Sequence, residues 1–472
     1  MKSVLLERRA RRRGVLWAAA AVSVSLAFPA GAQQKQAPPP PGAPKDFVIP
    51  TPKRFTLANG MPVTTVAFGQ VPKVTIRLVV DAANVHETKE QVWLADLTGK
   101  MLSEGTATLG ADALARTFAG MGGQLSVAVG PDTASISTEV LSDHAVRAMQ
   151  LIADVAARPL LPDAELARVK ANMARDLAIQ KSTPQAIAQE KFAELIYGDH
   201  PYGRMFPPEA MLKGYTIEQV RTFHRSHYSA ARARLYVAGV FDAPVLEAGI
   251  QKAFAAWTPG TKGSTTPPGA APAARFALLD RADAPQSTVM LGLKVPNPAD
   301  ADWIALQVTD SLLGGSFASR ITANIREQKG YTYSPYSTIT AHPAQALWAE
   351  TADVTTKVTG ESLKEIFFEI ERLRKDAPPA AELQGIKNNL AGVFVVQNAS
   401  RAGVLGRLVF VDQYQLGDQY LASYIKRVMA VTPDDVRRIA TQYLVPEKMT
   451  LVVVGDTKVV KEQLAPWSKG SK

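Results

Sequence analysis

The chain is 472 residues long, carries 53 Lys and Arg against 43 Asp and Glu for a formal net charge of +10, and contains no cysteine. Disulfides, thiolate metal centres, a cysteine nucleophile and a lipidated N-terminal cysteine are therefore excluded. Hydrophobic residues at 46% and charged residues at 20% exclude a fibrous or disordered chain, and the length predicts two to four domains with a large core.

Residues 1–32 read as a secretory signal peptide. Arg8, Arg9, Arg11, Arg12 and Arg13 precede an apolar run at 15–28, and Ala30-Gly31-Ala32 supplies the small residues of a cleavage point. That run is too short for a typical spanning helix, and no later segment has the roughly 18 apolar residues one needs. The expectation is an exported chain with no membrane span after signal removal, periplasmic in a Gram-negative source, with Sec and Tat export both open and an uncleaved N-terminal anchor as the alternative. Removal takes five of the ten net positive charges with it. The remainder is spread without a Lys/Arg block, so no nucleic-acid partner is expected.

Residues 33–53 are a proline-rich lead-in, and a second such stretch at 258–275 marks a linker between a first domain at 54–257 and a second at 276–472. The two halves repeat each other. Val74, Ile76, Leu78 and Val80 alternate as a half-buried strand, and Val289, Leu291, Leu293 and Val295 do so 215 residues later. PDAELARVKANMARDLAIQ at 162–180 returns as PAAELQGIKNNLAGVFVVQ at 379–397, and the segment 215–242 returns at 431–458, each closing on a β-rich run that ends in Gly239 or Gly455. Strands and helices mix without strict alternation. This predicts an α+β chain of two homologous domains, each a sheet with helices packed on one face, joined as the halves of a clam shell.

Few residues offer chemistry by type alone. On a helix over 91–106 (QVWLADLTGKMLSEGT), Asp96 and Lys100 have the spacing of an i,i+4 ion pair with the acid on the favourable side. His224 and His227 are three apart without a ligand set around them, which reads as a helix-surface pair. Gly314-Gly315 and Gly120, Gly122 and Gly123 read as turn and close-packing positions, since no P-loop lysine follows. There is no Gly-x-Ser-x-Gly elbow to support serine hydrolysis. Tyr333 reads as a strand residue packed between Tyr331 and Tyr336, with Arg326 paired to Glu327 or another acid.

A resemblance changes the weight of several of these positions. The segment 91–106 resembles the zinc-protease helix of the pitrilysin/insulinase family, which carries His-x-x-Glu-His followed by a short apolar stretch and Gly-Thr. Anchored on Gly105 and Thr106, the two histidine positions fall on Asp96 and Lys100 and the catalytic glutamate on Gly99. None of the three family residues is present. The family's remaining ligand, a glutamate, belongs near 163–181, where Asp163, Glu165 and Asp176 stand. The likeness runs over roughly 53–460 and includes FTLANG at 55–60, GDHPYG at 198–203 and LLGGSFASRITANIREQKGYTYSPYS at 312–337. In the last of these the family places an arginine and a tyrosine that reach toward the substrate, here Arg326 and Tyr333. A phenol and a guanidinium are suitable fixed donors for the charge that develops on a scissile carbonyl.

The resemblance implies a catalytically incomplete subunit of a heteromeric zinc metalloendopeptidase. This chain would hold no cofactor of its own and would supply half of a peptide-binding chamber and the Arg326/Tyr333 donors. Zinc would come from a homologous partner in a heterodimer or a dimer of heterodimers. The alternatives are a non-catalytic peptide-binding or scaffold protein and a self-sufficient hydrolase, for which the sequence nominates no nucleophile.

Overall fold

The computed structural model describes residues 50–269 and 275–468. The expected signal peptide and nearly all of the proline-rich lead-in lie outside the described residues, as does part of the expected linker. Eleven strands form two sheets. The first takes β1 (Lys53–Thr56), β2 (Pro62–Ala67), β3 (Lys73–Val80), β4 (Ser126–Val129), β5 (Ala134–Leu141) and β6 (Ala233–Gly239) in the order β1-β2-β6-β3-β5-β4. The second takes β7 (Phe276–Asp280), β8 (Gln286–Val295), β9 (Tyr336–Ala341), β10 (Ala346–Thr355) and β11 (Thr450–Gly455) in the order β7-β11-β8-β10-β9. Without β1 the two topologies are the same, down to the single parallel pair, β2 with β6 and β7 with β11. The alternating runs at 74–80 and 289–295 fall inside β3 and β8.

Helices of nine residues or more are α1 (Leu94–Leu102), α2 (Ala111–Gly120), α3 (Ala145–Ala157), α4 (Asp163–Lys181), α5 (Pro184–Tyr197), α6 (Ile217–His227) and α7 (Ala243–Phe254) in the first half. The second half has α8 (Trp303–Leu313), α9 (Thr359–Lys375), α10 (Ala380–Gln397), α11 (Arg401–Gln413), α12 (Gln419–Ala430) and α13 (Pro433–Tyr443). Their starts are set by local chemistry. Thr183 caps α5 and Ser400 caps α11, each hydroxyl accepting a first-turn N–H, while Thr216 with Gln219 and Thr432 with Asp435 form reciprocal capping boxes on α6 and α13. No helix among the described residues is long and apolar enough to cross a membrane.

An α+β chain of two homologous sheet-plus-helices halves is thus what the repeat predicts, but the expectation of helices on one face of each sheet needs correction. Each sheet has a helix of the other half on its second face. Ala188, Phe192 and Ile196 of α5 pack with Ala349, Val452 and Val454 of the second sheet. Val404, Leu405, Leu408 and Val411 of α11 cluster with Val66, Val79, Tyr236 and Ala238 of the first. These two helices start 217 residues apart, at Pro184 and Arg401, so the exchange is reciprocal. Gly292 makes room for it, since a Cβ there would lie 2.9 Å from Phe192 Cζ and 2.3 Å from the Trp348 carbonyl oxygen. Strands buried on both faces read as unbroken apolar runs, and Thr450–Gly455 is buried at every position.

Polar contacts tie the same junction. Arg54 bridges to Asp412 at 2.9 Å, Tyr236 Oη donates to Asp412 at 2.9 Å, and Arg401 meets Glu139 at 3.1 Å. His342, from the β9–β10 turn, donates through Nδ1 to Asp132 of the first half at 2.8 Å. Tyr202 Oη donates to the other oxygen of Asp132 and its ring stacks on His342 at 4.0 Å. The described residues accordingly cluster as one compact unit.

Candidate functional site

Helix α1 begins without a side-chain cap of its own, at Trp93 in the left-handed region (φ 68°). Glu87 supplies what is missing, its carboxyl accepting from Ala95 N at 2.7 Å and Trp93 N at 3.1 Å. The side chain is only 6% exposed, and burial pushes its pKa up to about 8 despite those bonds, with nearby Asp96 adding in the same direction. Asp96 is half-buried. Burial raises its pKa, and its Oδ2 accepts from Asn84 Nδ2 at 2.6 Å. The i,i+4 ion pair with Lys100 does not form, because Asp96 is turned to Asn84 and Lys100 stands in solvent.

Gly99 is buried under β4, where an added Cβ would lie 2.6 Å from Val129 Cγ2. On α4 the buried stripe is Leu166, Val169, Met173 and Leu177, whereas Asp163 and Asp176 are exposed and Glu165 is paired with Arg168 at 2.7 Å. Zinc in this family needs two imidazoles and a carboxylate on converging faces. The residues here do not fit it. Among the described residues no group of three or more His, Asp or Glu side chains could hold a metal ion. His224 is buried with Nε2 donating to the Ala156 carbonyl at 2.8 Å, so the surface-pair reading holds for neither position: His227 is half-buried and stacked on Phe223.

Restoring the family side chains by Asp96→His, Gly99→Glu and Lys100→His should therefore fail. The glutamate side chain introduced in place of Gly99 overlaps Val129, an overpacking that costs about 1–3 kcal/mol, and the third ligand is absent. Zinc titration and a thermal melt of the triple variant should show weak or no binding and a lowered Tm. A stable variant holding one tight zinc would show that the pocket is intact.

In the second half, α8 ends at Gly314 and the chain turns through Gly315 into a π-helical segment, Thr322–Gln328, a geometry often found at functional sites. Its frame is rigid. Arg320 grips Glu382 with two bonds at 2.7 and 2.8 Å, and Asn324 donates to Glu365 and Glu369 at 3.0 and 2.9 Å. From that frame Arg326 projects between two aromatic rings, its Cζ 4.6 Å from the centre of Phe317 and 4.8 Å from that of Tyr333. The rings are in solvent, 72% and 76% exposed. Tyr333 lies in the loop before β9 and is not packed in a strand between Tyr331 and Tyr336. The ion pair of Arg326 with Glu327 does form, at 3.2 Å. The sequence points to Arg326 and Tyr333 but not to Phe317, whose only signal there is its place in the same signature.

The glycines before this segment are close-packing positions. A Cβ on Gly314 would lie 2.5 Å from Glu350 Oε2, and one on Gly315 2.5 Å from Asp310 Oδ2. Of the other three, Gly122 has φ +77°, Gly123 would strike the Glu139 carbonyl at 2.1 Å, and Gly120 has nothing within 4 Å. Beneath the signature Glu350 is buried and Asp310 half-buried. Asp310 accepts from Ser337 Oγ at 2.5 Å and Trp348 Nε1 at 2.8 Å, and burial lifts its pKa to about 6. Glu350 is fully buried with neither oxygen hydrogen-bonded, and burial, with Asp310 nearby, holds it well above the ordinary range.

Between the halves lies a cavity of about 410 Å³. Asn84, the partner of Asp96, lines it together with Gln189 of α5, Tyr202, His342, and Thr338 and Thr340 of the edge strand β9. The segment that leads into α1, through Asn84 and Trp93, and the second sheet thus border one space with a mixed polar and aromatic lining.

Comparison with known proteins agrees with this geometry. Residues 63–206 match the family model described as insulinase (peptidase family M16), and residues 214–390 match that described as peptidase M16 inactive domain. A protein of Mycobacterium bovis named as an uncharacterized zinc protease is 26% identical over 431 residues, covering 86% of this chain and 93% of the relative. One of Rickettsia felis with a similar name is 25% identical over 340 residues, 71% of this chain and 82% of the relative. A crystal structure described as a peptidase M16 inactive domain from Pseudomonas fluorescens superposes with a TM-score of 0.80 at 27% identity, covering 86% of this chain and 98% of that one. A protease from Helicobacter pylori has the same fold, with a TM-score of 0.80 at 20% identity over 86% of this chain and all of that one. With both family models side by side along the chain and the duplicated fold in place, the protein belongs to the insulinase (M16) peptidase family, the pitrilysin/insulinase group that its helix at 91–106 resembles.

Proposed function

We propose that this chain is the subunit without zinc in a heteromeric M16 metalloendopeptidase of the periplasm. It contributes half of the peptide chamber, and Arg326 and Tyr333 stabilise the transition state, while a homologous partner supplies zinc and the general base. The observation that carries this reading is the contrast between the halves. The zinc helix has none of the family's ligands and its glutamate position is filled by β4, yet Arg326 stands on a braced frame and holds the solvent-exposed Tyr333 ring at 4.8 Å. A phenol exposed in this way is available to a substrate carbonyl.

A scaffold reading is favoured by one detail: Arg326 is already engaged by two rings and Glu327. The test is purification of the chain from its native envelope fraction, identification by mass of what accompanies it, and metal and peptidase assays of chain and complex. The chain alone should hold no stoichiometric zinc and cleave no peptide, and the complex should do both. One equivalent of zinc with chelator-sensitive turnover in the isolated chain would overturn the proposal.

A further inference from the structure

A second cavity, of about 310 Å³, lies on the other side of the segment that leads into α1, between His86, His227, Arg232 and the linker residues Ser264 and Thr265. Its lining holds one guanidinium, Arg232, the imidazoles of His86, His200 and His227, and one acid, Glu87. Arg232 donates through Nη1 to the Asp81 carbonyl oxygen at 2.9 Å and forms no ion pair among the described residues: the Asp81 carboxylate is bonded to Arg234 at 2.7 Å, and burial lowers the Arg232 pKa against a smaller lift from Asp81. The rings of His86 and His227 are 5.6 Å apart.

Hydrogen bonding settles which ring nitrogens are free. His86 Nδ1 accepts from Ala83 N at 3.1 Å, so its proton sits on Nε2. His227 Nδ1 donates to the Phe223 carbonyl at 3.0 Å, which leaves Nε2 bare and ready to take a proton. His200, which also borders the cavity, is saturated: Nε2 donates to Thr266 O at 2.9 Å and Nδ1 accepts from Tyr202 N at 3.2 Å. The one acid on the wall, Glu87, directs its carboxyl to Ala95 N and Trp93 N, while its carbonyl oxygen accepts from Arg204 at 3.1 Å.

We propose that this cavity binds a small oxyanion, a carboxylate or a phosphate-like group, through the guanidinium of Arg232, the Nε2 atoms of His86 and His227, and the hydroxyls of Ser264 and Thr265. A metal ion is the wrong occupant. Ligation by His86 Nε2 would move its proton to Nδ1 and break the bond from Ala83 N, and the fixed charge of Arg232 repels a cation. An anion has the opposite effect. In the free chain, burial, then His227 and Arg232, depress the His86 pKa to about 4, against smaller lifts from the Ala83 backbone and Asp81. His227 is lowered by burial and by Arg232. A bound negative charge opposes those effects, so binding draws a proton into the pair and strengthens as pH falls. Because Ser264 and Thr265 belong to the linker and His86 to the first half, the bound group would also pin one to the other. This inference is independent of the peptidase reading.

The test is calorimetry on the full mature chain at pH 6 and pH 8 with sulfate, whose charge is constant over that range. A parallel arm uses a short peptide with a free C-terminus beside its amide. Saturable sulfate binding assigns the site to a free inorganic oxyanion, and preference for the free-acid peptide assigns it to a chain terminus. In either arm affinity should be higher at pH 6. Arg232→Gln should weaken binding by at least about tenfold, the loss expected for one charge-assisted hydrogen bond. The double variant His86→Gln, His227→Gln leaves the Arg232 bond to Asp81 in place, and should keep residual binding while losing its pH dependence. The double variant keeps the test decisive if Arg232→Gln does not fold. No saturable binding of either probe, or a pH dependence that survives the double substitution, would overturn the proposal.

Discussion

Tyr333→Phe in the reconstituted complex should lower kcat by roughly 100-fold while KM changes little, the loss typical of one oxyanion donor used only in the transition state. The structure sharpens the control. Tyr333 is 76% exposed, so removing the hydroxyl deletes no packing and the variant should melt with the wild type and assemble normally. Arg326→Ala should also depress kcat, with some rise in KM if the guanidinium grips ground-state carbonyls. Its stacking between Phe317 and Tyr333 is at an exposed site, where a cation–π contact contributes about 0.5–1 kcal/mol, so the fold should survive this change too. Steady-state kinetics and melts of both complexes decide the matter. Near-normal turnover in both would leave the scaffold reading in front.

The second large effect is on stability against pH. Glu87, Asp310 and Glu350 all have folded pKa values raised by burial, to about 8, to about 6 and well above 4.5 respectively. The native state therefore keeps protons that the unfolded chain releases. Their contribution is full below the unfolded values, 3.8 for Asp310 and 4.5 for the two glutamates, and is lost as pH rises through the folded values. For Glu87 alone that is on the order of 4 kcal/mol between pH 4.5 and 8, at about 1.4 kcal/mol per unit. Four histidines act the other way. His86, His200, His224 and His227 are depressed by burial below 6.5, so they add stability as pH rises toward 6.5 and nothing beyond it. The net fall should consequently appear between about pH 6.5 and 9. Urea melts across that range should show it, and Glu350→Gln and Glu87→Gln should each flatten it by keeping the shape and removing the ionisation. Stability that stays level from pH 6.5 to 9 would mean these acids ionise in place at no cost.

Both predictions rest on groups that stood differently in the sequence. Arg326 and Tyr333 were legible because a twenty-odd-residue signature surrounds them. Phe317 was not, since nothing in linear order says that a ring well before Arg326 and another after it will close on the same guanidinium. Glu87, Asp310 and Glu350 were silent for another reason. A carboxylate in a sequence is taken as solvated, and only the packing around it reveals burial. The lost zinc helix was the clearest case of legibility, because the pattern i, i+3, i+4 is local and its absence at Asp96, Gly99 and Lys100 needs no tertiary context. Even there, the expected Asp96–Lys100 pair gave way to Asn84, which reaches Asp96 from outside the helix.

By itself the sequence determined the duplication, the α+β class and the absence of the zinc ligands, because side-chain period, repeat offset and residue identity are properties of short segments. The period marks a buried face without saying what covers it. The apolar faces of α5 and α11 looked like any others, and only the folded chain laid each on the sheet of the opposite half. The same closure set Asp132 against His342, 210 residues away, and the fold left Arg232 in one cavity with His86 and His227 while Arg234 took the Asp81 carboxylate.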